Sequence, residues 1–184
     1  MNSVPDRLAK SNAKSEPPIL LRPIIVQFES VGRSIFPDGI WTCDAGSLVL
    51  AYLCRKAGVA HELQVGFYHW PEESQPLHWS LVNDGSPSAE DLANFWNDEL
   101  HHWLVVTDAR LDRPWLIDPN GEIRIEPRAM PLAAAADRYR PNASCWPWSG
   151  FCPDTDPQEA AEWISEVNLA IHLIDNKTTS QVAR

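Results

Sequence analysis

Three observations predict an α+β fold with an antiparallel sheet. Helical-period stretches occupy 24–35 and 43–57, early in the chain. Two short β-rich runs, "HHWLVVTD" and "PWLIDP", are separated by a polar "ARLDR" segment, the pattern of a hairpin. A further helical stretch closes the chain after Asp156. Strands and helices do not alternate as βαβ units, so a doubly wound parallel sheet is not expected.

The elements follow in order. Residues 1–18 are polar, end in Pro17-Pro18 and read as a flexible leader. Ile24, Phe28, Val31 and Ile35 recur at helical spacing, and Pro37 with Asp38-Gly39 ends that helix. The second helix begins near Cys43, takes Leu48, Ala51 and Tyr52 as its apolar stripe, and stops at Gly58 after Arg55 and Lys56. "HELQVGFYHW" reads as a strand with Leu63, Val65 and Phe67 on one face. Loop is expected over 71–87, and a short helix over 86–100 with Ser88 as its N-cap. The hairpin comes next, and "GEIRIEP" offers a third strand. "MPLAAAADRY" predicts a helix, and "RPNASCWPWSGFCPDTD" an aromatic, Pro-rich loop. The last helix has Pro157 at its first position and a buried face of Trp163, Val167, Ala170 or Ile171, and Ile174. The expected organisation is a single domain over 19–176 and a flexible polar tail over 177–184.

Composition narrows the function. The chain has 184 residues, with 15 Lys and Arg against 25 Asp and Glu, a net charge of −10. Scattered basic residues on an acidic chain argue against a nucleic-acid or anionic-membrane surface. No apolar run reaches the ~18 to 20 residues that span a bilayer, and the N-terminus lacks the apolar core of a secretory signal. A cytoplasmic location is the expectation, with export by a route that needs no apolar signal left open. Four Cys do not make a disulfide scaffold. Cys145 and Cys152 read as two free thiols in a reducing compartment, with a bridge between them left open. No CxxC spacing occurs, and the carboxylates near His69, His78, His101 and His102 lack recognisable ligand spacing, so neither a metal nor another cofactor is expected.

The chemistry lies in three blocks. Cys43 heads a helix, whose positive dipole end favours a thiolate. His101-His102 opens a strand, and Asp118 ends the next one. A free thiol, with a pKa near ~8.5, is mostly protonated at neutral pH. A histidine within reach takes its proton, and a carboxylate fixes the imidazole tautomer and favours imidazolium. Adjacent strands set His and Asp side by side, and the Cys43 N–H suits an oxyanion hole. Asp44 adds negative charge beside the thiol, which opposes thiolate formation.

"WTCDAGSLVLAYLCRKAGV", "HHWLVV" and "PWLIDPNG" together resemble the three signature blocks of the transglutaminase-like branch of the papain-like cysteine fold. The likeness spans about residues 41–121. It implies a Cys-bearing helix packed on an antiparallel sheet, and a reaction drawn from transglutamination, peptide hydrolysis, deamidation or other acyl transfer. The family's His-x-Trp pattern selects His101. His102 is its alternative, because neighbouring strand residues face opposite sides, and His78 is a weaker one.

The expectation is therefore a Cys43–His101–Asp118 triad acting through a thioester on a peptide, protein or small amide or thioester substrate. Trp41 and Trp103 are candidate substrate contacts, although buried Trp is more often core. Cys54, eleven residues after Cys43, reads as core. An inactive binding or interaction module on the same fold is the alternative. Substrate identity and oligomeric state are not legible in these residues.

Overall fold

The computed structural model describes residues 16–36, 41–69, 98–121, 128–141 and 157–182. Helix α1 runs over Arg22–Ile35 and α2 over Cys43–Lys56. Strands follow at β1 (His61–His69), β2 (Asp98–Val106), β3 (Trp115–Ile117) and β4 (Ala129–Pro131). Short helix α3 (Leu132–Ala135), strand β5 (Tyr139–Pro141) and long helix α4 (Pro157–Val182) complete the described elements. The five strands form one sheet in the order β4-β3-β2-β1-β5. Every neighbouring pair is antiparallel. The α+β class and the β2–β3 hairpin expected from the sequence are both present.

Helix α2 carries the site, and local chemistry defines its ends. Thr42 is extended and its side chain accepts from Ala45 N, while Gly46 N bonds Thr42 O at 2.9 Å. At the far end Gly58 takes φ +63, and Val59 N returns to Cys54 O at 2.8 Å. That is a glycine C-terminal motif, available at little cost because Gly has no Cβ.

The buried stripe of α2 is Ala45, Val49, Leu50, Leu53 and Cys54. Leu48, Ala51 and Tyr52, the stripe expected from the sequence, lie at its margin. Tyr52 is drawn outward because its hydroxyl donates to Asp175 Oδ1 at 2.7 Å, beside the Lys56–Asp175 ion pair at 2.6 Å. Those contacts join α2 to α4.

The sheet has a core on each face. On one side, α1, α2 and α4 cover Leu104, Val106, Trp115 and Ile117 with Ile24, Phe28, Val49, Leu53, Ala170 and Ile174. On the other, Tyr68, Trp103, Val105, Leu116, Met130, Ala135 and Tyr139 form a smaller cluster. Strand alternation therefore sends His102, Leu104 and Val106 toward the helices, and His101, Trp103 and Val105 away from them.

Several expectations change. Residues 98–100, read as the end of a helix, belong to β2, where cross-strand pairing with Phe67, Tyr68 and His69 outweighs local propensity. The Ala-rich stretch is helical only over Leu132–Ala135, because its flanks are taken by β4 and β5 as edge strands. Phe67 is exposed, whereas Tyr68 on the other face is buried. Helix α4 does not stop near Asn176 but continues to Val182. The 86–97 helix, the "GEIRIEP" strand and the Cys145–Cys152 loop lie outside the described residues.

One contact locks α2 to the end of β3. A Cβ placed on Gly46 would meet Pro119 Cβ at 2.6 Å and Trp41 Cβ at 3.0 Å. Gly46→Ala is expected to destabilise the fold by ~1–3 kcal/mol, the usual cost of overpacking, despite the gain in helix propensity. Chemical denaturation checks this; a neutral or stabilising result would mean that the Pro119 turn yields easily.

Candidate functional site

Cys43 is the first residue of α2, half-buried. Its Sγ lies 3.6 Å from His102 Nδ1 and 3.0 Å from Asp44 Oδ1. Asp44 Oδ1 is in turn 3.3 Å from His102 Nδ1. A thiol, an imidazole and a carboxylate thus form a small triangle at the N-terminus of α2. His102 reaches it because β2 aims even-numbered side chains at the helices, opposite Val65 of β1. Its side chain is 9 % exposed, and that of Asp44 30 %.

Burial pushes the Asp44 carboxyl upward. Hydrogen bonds with His102 and Cys43, together with the His102 charge, outweigh it and hold the group below its ordinary value. The sign of the linkage follows. A depressed carboxyl contributes stability that is complete above the ordinary carboxylate range and is lost as pH falls through the lowered value. Asp44→Asn is therefore expected to lower the melting temperature at neutral pH, and the difference should vanish in strong acid. Melting curves of both proteins across acid pH check this, and a pH-independent difference would contradict it.

His101 goes the other way. It is fully buried, and its Nε2 lies 2.9 Å from Asp118 Oδ1. Tyr139 donates its hydroxyl to Asp118 Oδ2 at 2.6 Å, and Asn120 N donates to Asp118 Oδ1 at 2.7 Å. Aromatic rings surround the histidine: Trp103 stacks at 6.0 Å, with Tyr68 and Tyr139 each at 6.2 Å.

The Cys43–His101–Asp118 triad expected from the sequence is thus divided between the two faces of the sheet. His101 and Asp118 do meet, as the hairpin geometry implied, but away from the helix face that holds Cys43. His102, the alternative, is the histidine at the sulfur, because the strand's period of two separates adjacent side chains. His78 lies outside the described residues.

The two tryptophans lie in different cores, Trp41 beside the start of α2 and Trp103 on the far face of the sheet. Trp41 is 2 % exposed, stacked on Phe28 at 5.5 Å and edge-on to Phe36 at 5.0 Å. Trp103 is fully buried in the far cluster. Both rings, named above as candidate substrate contacts, fill core volume. Asn120 Nδ2 donates to Trp41 O at 2.7 Å, and Arg128 donates to Pro119 O, fixing the Asp118–Gly121 turn against the start of α2.

Asn120 and Tyr139 were not singled out from sequence. Asn120 carries a turn signal within Asp-Pro-Asn-Gly, but nothing in Tyr139's neighbourhood marks its contact 21 residues away. Cys54 is core as expected, its thiol pushed up to about 12 by burial.

Among the described residues, Cys43, Asp44 and His102 are the group whose donor atoms converge closely enough to share one ion. No helix among the described residues is long and apolar enough to cross a membrane. Compared with protein-family models, curated proteins and solved structures, the chain has no match in any of the three.

Proposed function

We propose that this chain is a cysteine-nucleophile acyltransferase or hydrolase of the transglutaminase-like, papain-like type, with Cys43 as nucleophile and His102 as general base and acid. The observation that carries the reading is the 3.6 Å approach of Cys43 Sγ to His102 Nδ1 at the head of α2. A base within reach and a helix N-terminus each favour the thiolate that such chemistry needs.

The steps balance on these groups. His102 Nδ1 takes the thiol proton, and the thiolate attacks the carbonyl carbon of an amide or thioester. The helix N-terminus favours the negative charge that develops there. The bond from carbonyl carbon to the leaving nitrogen or sulfur breaks, His102 returns the proton to it, and an acyl thioester remains on Cys43. Water or an amine, deprotonated by His102, then releases the acyl group and restores the thiol. Asp44, 3.3 Å from His102 Nδ1, stabilises the imidazolium but also opposes the thiolate.

A second reading is a non-catalytic binding module on the same fold. It is favoured by the Asp44 carboxylate, 3.0 Å from the sulfur, and by Asp118 being committed to His101 and Tyr139.

An activated ester separates the two. After exposure to p-nitrophenyl acetate at neutral pH, intact-mass and peptide spectra should place an acetyl group on Cys43 and none on Cys54. Hydroxylamine should remove it, and Cys43→Ser should abolish both the adduct and any turnover. Absence of adduct and turnover in a folded, reduced protein would favour the binding module.

A further inference from the structure

We infer that Cys43, Asp44 and His102 form a binding site for a zinc-class divalent cation, and that the bound ion withdraws Cys43 from nucleophilic chemistry. The inference uses the three side chains of the proposed nucleophile site but not their acyl transfer; each stands if the other fails.

The first support is geometric. Bonds of ~2.3 Å to sulfur and ~2.0 Å to nitrogen and oxygen, at tetrahedral angles, set S and N ~3.5 Å apart and N and O ~3.3 Å apart. The observed separations are 3.6 Å for Cys43 Sγ to His102 Nδ1 and 3.3 Å for His102 Nδ1 to Asp44 Oδ1. The third edge, Sγ to Asp44 Oδ1, is 3.0 Å and must open by roughly half an ångström. Asp44 has room for that, with its side chain 30 % exposed.

The second support is electrostatic. A thiolate at Cys43 faces a carboxylate 3.0 Å away, an unfavourable pair. A divalent cation turns both groups into ligands. With neutral imidazole, thiolate and carboxylate, the assembly of ion and side chains carries no net charge.

The donor set selects the ion. Thiolate with imidazole suits zinc and its neighbours, and rejects magnesium and calcium, which take oxygen ligands. Three protein ligands leave the fourth position to water, an open arrangement rather than the closed one of a four-ligand structural site. On binding, the thiol proton is released to solvent and the sulfur lone pair enters the metal bond. Attack on a carbonyl then requires that the ion leave.

Cobalt(II) is the probe for the site, added to the full chain after reduction and chelator stripping. Wild type should give a near-ultraviolet thiolate-to-cobalt charge-transfer band and strong visible bands of four-coordinate cobalt, at one equivalent. Cys43→Ser should abolish the charge-transfer band, and Cys54→Ser should leave it. His102→Ala and Asp44→Asn should weaken binding by more than the ~10- to 100-fold typical of losing an outer-shell partner. In wild type, zinc should slow iodoacetamide labelling of Cys43 by about tenfold or more, reversibly with chelator. Absence of the charge-transfer band in wild type, its persistence in Cys43→Ser, or labelling unaffected by zinc would each overturn the inference. Labelling and acetylation without metal report separately on the nucleophile. A reactive Cys43 that ignores zinc rejects only the metal site, and a metal-binding Cys43 that is never acylated rejects only the enzyme.

Discussion

His102→Ala is expected to reduce Cys43 alkylation by iodoacetamide, below the ordinary thiol pKa of ~8.5, by on the order of ten- to a hundredfold. His101→Ala should leave the pH profile of that reaction in place. The asymmetry comes from the period of a β-strand. His102 shares the helix-covered face of β2 with Leu104 and Val106, and its Nδ1 lies 3.6 Å from the sulfur. His101 is on the opposite face and fully buried against Asp118. Rates read by mass spectrometry against pH carry an internal control in Cys54, whose thiol burial holds at about 12. Loss of reactivity in His101→Ala alone would restore the histidine that the His-x-Trp pattern selects. An ordinary thiol profile in all three proteins would favour the binding module.

The same contrast shows what was legible in the sequence. Cys43 was identifiable because helix ends have local signals: the Pro37-Asp38-Gly39 break before, apolar periodicity after, Gly58 at the end. The hairpin was identifiable because β-rich runs flanking a polar turn pair with their neighbours. The choice of histidine was not legible. Adjacent residues on a strand differ only by facing, and facing is set by which side the helices cover, a property of the whole sheet. Asp118 illustrates the same limit. Its pairing with a histidine across the hairpin followed from local geometry, but its side of the sheet did not. Strands β4 and β5 were missed because three-residue edge strands carry almost no periodic signal, and an alanine run has strong helix propensity. Asp44 was recognised only as a charge opposing the thiolate. Its joint contact with Cys43 and His102 needed the register of β2 against β1 and α2.

Asp118→Ala is expected to be among the most destabilising substitutions in the chain, at about 3–5 kcal/mol, the usual cost of removing one member of a buried charged network. Asp118 is fully buried and accepts from Tyr139 Oη, Asn120 N and the His101 ring within 2.9 Å. The contacts tie the end of β3 to β2 and to the edge strand β5. Removing the carboxylate leaves a buried hydroxyl and a buried imidazole without that acceptor, and their desolvation is no longer compensated. For a chain of this length the loss corresponds to a melting temperature lower by ~6–20 °C. Tyr139→Phe should cost less, since the carboxylate keeps its other donors. The double variant should be less destabilised than the sum, with a coupling of ~0.5–3 kcal/mol. Thermal melts and denaturant titrations of the four proteins complete the cycle. The measurement also separates bracing from catalysis. A carboxylate that braces the sheet from the far face lowers stability while the alkylation profile of Cys43 in the folded protein is retained. Asp118→Ala with wild-type stability and an inert Cys43 would instead return Asp118 to the role of orienting carboxylate, and would require His101 to reach the sulfur in the active protein.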